Sequence, residues 1–156
     1  MRYAIGLGGN LGDVPATAAR AAKLLAAEGV TVVAEAPWLI TEPVGGPAQP
    51  RFHNSAWIVA TGLGPHGLLA ALQRTETTCG RTREGVWGPR TLDLDLLLSD
   101  DGGPGTSAVL TLPHPRLHER PFALRPLAVI AANWRHPLLG PTMAELAARE
   151  LGHLRR

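Results

Sequence analysis

The stretch Leu92-Asp93-Leu94-Asp95-Leu96-Leu97-Leu98 restricts the fold more than any other part of the chain. Residues two apart in a strand share a face, so Asp93 and Asp95 point one way while Leu92, Leu94 and Leu96 point the other. Their α-carbons lie roughly 6.5–7 Å apart in such a strand. The leucines require a packed layer behind them. The two carboxylates repel each other and lose hydration on a mostly apolar strand, so they persist only where a cation or arginines neutralise them. Alternation alone also admits a plainer reading, a solvent-facing strand edge carrying ordinary acids.

Around this strand the pattern predicts an antiparallel sheet. Residues 2–7 read as a first strand, and Asp13 and Pro15 start a helix that runs to about Glu28 and stops at Gly29. Residues 30–41 are rich in β-branched side chains and read as a second strand, and residues 54–61 as a third. Leu68, Leu72, Thr75 and Cys79 recur at helical spacing after Pro65, with Gly80 as the stop. Residues 42–51 and 81–90 are loops, residues 100–107 a polar turn, and residues 109–112 a short strand. Residues 122–132 read as a helix with Pro126 as an irregularity, and Thr142-Met143-Ala144-Glu145 has the form of a capping box. The order β-α-β-β-α-β with later additions implies an α+β fold whose helices lie mainly on one face of the sheet.

A chain of 156 residues, 45% hydrophobic and 18% charged, suits one compact domain spanning 1–156. No apolar run approaches the roughly 20 residues of a membrane span. The start of the chain has no signal-peptide pattern, and the lone Cys79 excludes an internal disulfide. The expectation is a cytoplasmic monomer with no membrane partner and a buried, inert thiol. A net charge of +2 is too weak to dictate a partner.

Magnesium suits the aspartate pair, because it takes one or two carboxylates and fills its other positions with water and phosphate oxygens. Arg81, Arg83 and Arg90 bracket the loop that leads into the strand, placed to clamp a polyphosphate, or else forming a solvated charged turn. Trp87 lies in the same loop as a candidate lid. A second cluster, Pro113-His114-Pro115 with His118 and Arg120, makes a rigid basic turn suited to phosphate contact. His114 and His118 lack a third ligand, so zinc is not expected. Gly8-Gly9-Asn10 has neither the lysine of a phosphate loop nor a full dinucleotide fingerprint, and reads as turn chemistry.

With these residues in view, the chain resembles the 6-hydroxymethyl-7,8-dihydropterin pyrophosphokinase family along nearly its whole length. The resemblance rests on Gly6-Leu7-Gly8-Gly9-Asn10-Leu11-Gly12-Asp13, Thr41-Glu42-Pro43-Val44-Gly45, Phe52-His53-Asn54-Ser55-Ala56, Gly80-Arg81-Thr82-Arg83, the segment 87–97, and Leu110-Thr111-Leu112-Pro113-His114-Pro115 with Arg120 and Phe122. It implies a ferredoxin-like fold with C-terminal additions and transfer of pyrophosphate from ATP to the pterin hydroxymethyl group, giving AMP. It also implies two Mg2+ ions on Asp93 and Asp95, with Arg81 and Arg90 as catalytic arginines. Gln73, Glu76, Arg83, Thr111, His114 and Arg120 would line the ATP site. Phe52 and Phe122 would sandwich the pterin, with Asn54 reading its polar edge and Thr41, Val44 and Trp87 completing its pocket. Without the resemblance, core packing is the simpler reading of both phenylalanines. The sequence departs from the family pattern at Gly9, where serine is usual, and at Glu84-Gly85-Val86, where further basic residues are usual.

Two rival functions remain at this level. A ferredoxin-like sheet can bind RNA, but that use wants aromatic and basic residues on the central strands, where this chain carries Asp93 and Asp95. The other rival is a magnesium-dependent kinase or nucleotidyltransferase acting on a different small alcohol. No nucleic-acid partner is expected.

Overall fold

β1 (Arg2–Gly9) places Tyr3, Ile5 and Leu7 on one face and Ala4, Gly6 and Gly8 on the other, and the whole fold is arranged around that division. The computed structural model describes residues 1–42, 50–80, 91–100, 105–106, 111–115 and 117–154. After β1 the described elements are α1 (Val14–Ala27), β2 (Val30–Glu35), β3 (Leu39–Thr41), β4 (Phe52–Thr61), α2 (Pro65–Thr78), β5 (Asp93–Ser99), β6 (Gly105–Thr106), β7 (Thr111–Leu112), α3 (Pro121–Ile130) and α4 (Met143–Leu154). The main sheet is antiparallel in the order β2-β4-β1-β5, with β3 also paired to β4, and β6 pairs with β7 apart from it.

Local signals set the helix ends. The Asp13 carboxylate accepts the Ala16 N–H at 3.1 Å, satisfying one of the free donors of the first turn of α1. Gly29 follows α1 at φ 83° and Gly80 follows α2 at φ 94°, a conformation that costs a side-chain-bearing residue energy. At α4 the capping box is reciprocal: the Glu145 N–H donates to Thr142 Oγ1 at 3.2 Å, and the Thr142 N–H donates to Glu145 Oε1 at 3.1 Å.

Two cores form, one on each side of the sheet. Tyr3, Ile5, Leu7, Trp57, Val59, Leu94 and Leu96 pack against α1 and α2, while Ala4, Ala56, Ile58, Leu97 and Leu98 pack against α3 and α4. The helices are therefore divided two and two, which corrects the expectation that they lie mainly on one face. The late apolar residues Leu124, Leu127, Met143 and Leu146 need a surface, and the second sheet face is the one α1 and α2 leave open.

Two stretches differ from the sequence reading. The single strand expected over 30–41 is two, because Ala36-Pro37-Trp38 interrupts it where Pro37 has no N–H to give a ladder. β2 then pairs with the end of β4 and β3 with its beginning. Gly105 and Thr106, expected in a turn, pair with β7. Residues 43–49 of the loop expected at 42–51, and the whole of the loop expected at 81–90, lie outside the described residues. No described helix is long and apolar enough to cross a membrane.

Candidate active site

Across β4, β1 and β5 the register sets residues in rows. Asn54 pairs with Gly8, and Gly8 with Asp93; Ala56 pairs with Gly6, and Gly6 with Asp95. Paired residues present their side chains on the same face, so the two aspartates stand over a floor of glycine with Asn54 on its far side. A side chain at either glycine would crowd its neighbours. A Cβ on Gly8 would lie 3.0 Å from Asn54 Oδ1, and one on Gly6 would lie 3.3 Å from Leu97 Cδ1. Their absence lets neighbouring side chains lean across β1 and leaves a hollow above it.

That hollow is a cleft of about 190 Å³, lined by Gly6, Gly8 and Gly9 below, Asp93, Asp95 and Leu97 on one side, and Phe52, Asn54 and Ser55 on the other. The first turn of α3 closes it with Arg120, Phe122 and Ala123. Pro121 presets the backbone of that turn, and Leu124 and Leu127 anchor the helix in the second core. Phe122, 45% exposed, is not a core residue despite its size. Phe52 is half-buried beside the same cleft.

The cleft is electrostatically mixed. Arg120 Nη2 stands 3.7 Å from Asp95 Oδ2, with both side chains more than 40% exposed, so the pair is a loose surface contact. Arg120 Nη1 also lies 3.5 Å from His114 Nε2. Burial pushes the His114 ring below its ordinary value, the Arg120 guanidinium lowers it further, and Asp95 opposes both. His114 is consequently neutral near pH 7 and available as a hydrogen-bonding group.

The strand carrying the aspartates is held from its outer edge as well. Leu97 has no partner on β1, where the register passes from Ile5–Leu96 to Ala4–Leu98. Its carbonyl accepts the His114 N–H at 2.7 Å, which ties the basic turn to β5 next to the bulge. Glu76, 4% exposed on α2, accepts the Leu94 N–H at 2.9 Å.

Of the residues singled out in the sequence, Phe52, Asn54, Asp93, Asp95, Arg120 and Phe122 line this one cleft. His114 joins it through Arg120, and Thr41 pairs with Phe52 at its rim. Gln73 is exposed on α2, and Glu76 is directed at β5. Thr111 lies on β7. Val44, Arg81, Arg83, Trp87 and Arg90 lie outside the described residues. The reading of Gly8 and Gly9 as turn residues is corrected: both belong to β1 and form the cleft floor. A signal for this was present, since Gly6 and Gly8 fall two apart on one face of a strand, where glycine otherwise weakens pairing.

The donor set suits a hard divalent cation. Asp93 and Asp95 offer carboxylate oxygens only, and no described cluster of three His, Cys, Asp or Glu side chains could enclose a metal. Two carboxylates with open positions fit magnesium, which takes water and phosphate oxygens for the rest.

Residues 4–132 match the family model for 7,8-dihydro-6-hydroxymethylpterin-pyrophosphokinase (HPPK). The chain is 41% identical over 143 residues to the 2-amino-4-hydroxy-6-hydroxymethyldihydropteridine pyrophosphokinase of Synechocystis sp., covering 91% of this chain and 72% of that one. It is 44% identical over 133 residues to the enzyme of the same name from Methylorubrum extorquens, covering 85% and 84%. A crystal structure of HPPK-DHPS in complex with substrates superposes with a TM-score of 0.75 over 99% of this chain and 46% of that chain, at 11% identity. That last likeness speaks for the fold alone.

Proposed function

This chain belongs to the 7,8-dihydro-6-hydroxymethylpterin-pyrophosphokinase family, and from that membership we propose that the cleft over β1 is its site of pyrophosphoryl transfer. The family transfers the pyrophosphoryl group of ATP to hydroxymethyldihydropterin in folate synthesis, so the protein is an ATP-dependent pyrophosphokinase with those two substrates. The observation that carries the site assignment is the row Asn54–Gly8–Asp93 across three strands, with Asp95 beside it and Arg120 and Phe122 above.

In this reading Asp93 and Asp95 hold two magnesium ions, which when bound neutralise the charge of the ATP phosphates. Arg120 and His114 contact phosphate oxygens from the α3 side. Arg81, Arg83 and Arg90 add guanidinium groups, and Gln73 and Thr111 lie toward the nucleotide. Phe52 and Phe122 hold the flat pterin between them, a role open to two aromatic side chains that line the same cleft, one from β4 and one from α3. Asn54 offers both an acceptor and donors to the ring edge. Thr41, Val44 and Trp87 complete that pocket.

The hydroxymethyl oxygen attacks the β-phosphorus of ATP in line. Its bond to that phosphorus forms as the bond to the bridging oxygen of AMP breaks, and the hydroxyl proton is released. Most of the acceleration comes from alignment and charge neutralisation. We further propose one domain over residues 1–156, acting as a cytoplasmic monomer without nucleic-acid or membrane partners. Incubation with ATP, magnesium and the hydroxymethyldihydropterin is expected to yield AMP and the pterin diphosphate. Release of ADP or of free pyrophosphate would overturn the reading.

A further inference from the structure

β5 is an edge strand, paired among the described strands with β1 alone, yet the outward N–H of Leu94 is satisfied. Its acceptor is Glu76 Oε2 at 2.9 Å, supplied by α2 from a side chain that is 4% exposed. An unpaired N–H at a buried edge costs free energy, and a carboxylate is the strongest side-chain acceptor for it. Leu94 is the residue between Asp93 and Asp95, so this bond grips the strand at the midpoint of the acidic pair. Three residues on, the carbonyl of the bulged Leu97 is gripped from the same side by the His114 N–H at 2.7 Å. Asp95 thus sits between two lateral pins, one from α2 and one from the turn before α3.

We infer that Glu76 is a positioning residue, which sets the aspartate pair by holding the Leu94 amide and does not bind nucleotide through its carboxylate. The inference rests on the assignment of Asp93 and Asp95 above and replaces, for Glu76, the nucleotide contact suggested by family resemblance. A bond of this kind depends on reach and on an acceptor oxygen, and a formal charge is not required. Glutamine keeps both the length and an oxygen. Aspartate keeps the charge but is one methylene too short to span the gap from α2.

The two substitutions therefore separate the possibilities. For Glu76→Asp, the Leu94 amide should exchange with solvent roughly tenfold faster, as expected for loss of one buried hydrogen bond. Its kcat should fall by about a hundredfold, the scale of an ångström-sized displacement of reacting groups, and half-saturating magnesium should rise several-fold. Its affinity for metal-free ATP, measured in chelator, should change less than about twofold. Glu76→Gln should restore the slow exchange of Leu94 and recover kcat to within about fivefold of the parent. The opposite ranking, with Glu76→Asp the more active, would overturn the inference, as would weakened binding of metal-free ATP in both variants. Amide exchange and ATP binding are read without turnover. A parent protein that makes no AMP would therefore sink the functional reading, while these measurements would still decide the role of Glu76.

Discussion

Across β4, β1 and β5, the row Ile58–Ala4–Leu98 is sealed beneath α3 and α4, whereas the Gly6–Asp95 pair and the row Asn54–Gly8–Asp93, two and four residues further along β1, open into the cleft. Both regions lie on one face of one sheet, and both rest on the α1–α2 layer behind. They differ in side chains and in where α3 begins. At the closed end, apolar groups of ordinary size meet Leu124 and Leu127. At the open end, two glycines withdraw the floor and two aspartates resist burial, so α3 reaches it only with its first turn. The same backbone serves as core or as site according to what it carries.

The largest effect is expected from the open end. Asp95→Ala should lower the rate of AMP formation roughly a thousandfold or more, because magnesium stabilisation of the transferring group is worth several kcal/mol. Its thermal midpoint should stay near that of the parent, since the side chain supports no core. Near-normal turnover at saturating magnesium would break the division between the two ends.

Leu124→Ala tests the closed end. Leu124 is fully buried, and truncation there should cost about 3 kcal/mol in denaturant unfolding. Enough folded protein should remain at low temperature to show little change in KM for either substrate. A large change in KM with small loss of stability would mean that α3 acts mainly as part of the site.

Gly8→Ala sharpens the boundary itself. A Cβ 3.0 Å from Asn54 Oδ1 forces that amide aside without disturbing the α1–α2 core. Dihydropterin affinity should fall roughly tenfold, the scale of a lost or misplaced hydrogen bond to a buried polar group, and calorimetric titration would measure it. Unchanged affinity would remove Asn54 from the pterin site.

The smallest effect is a pH dependence centred on the closed end. The Nδ1 of buried His136 accepts N–H groups from Leu138 at 3.3 Å and Leu139 at 3.1 Å, so protonation there breaks both bonds. Burial, and secondarily the charge of neighbouring His118, holds the folded-state pKa below its ordinary 6.5. The unfolded chain then binds more protons as pH falls below that value. Stability should be full above about pH 6.5 and decline beneath it, and His136→Gln should flatten the decline in urea melts at a series of pH values. A slope unaltered by that substitution would assign it to other groups, such as His114, which shifts in the same direction.

Much of the molecule was legible without coordinates, for identifiable reasons. Asp13, Gly29, Gly80 and the Thr142–Glu145 box act on backbone groups within a few residues, so their effect is written locally. The Asp93–Asp95 alternation declared a strand with one apolar and one acidic side. The split at Pro37 was missed because β-branched residues on both sides of it mimic one strand. The division of helices between the faces was missed because amphipathic helices record that they have an apolar side, and not which surface will receive it.

The sequence by itself determined the helix ends that carry local caps, the acidic strand and the family, because each depends on neighbours in the chain or on residues kept in a fixed order. Tertiary structure decided that Asn54, Gly8 and Asp93 form one row, that Phe122 stands in the open, and that Glu76 grips the strand it faces. Each of those depends on strand register or on the approach of a distant helix. Register and approach follow from which packing buries the most apolar surface without stranding a polar group, a property of the whole chain at once.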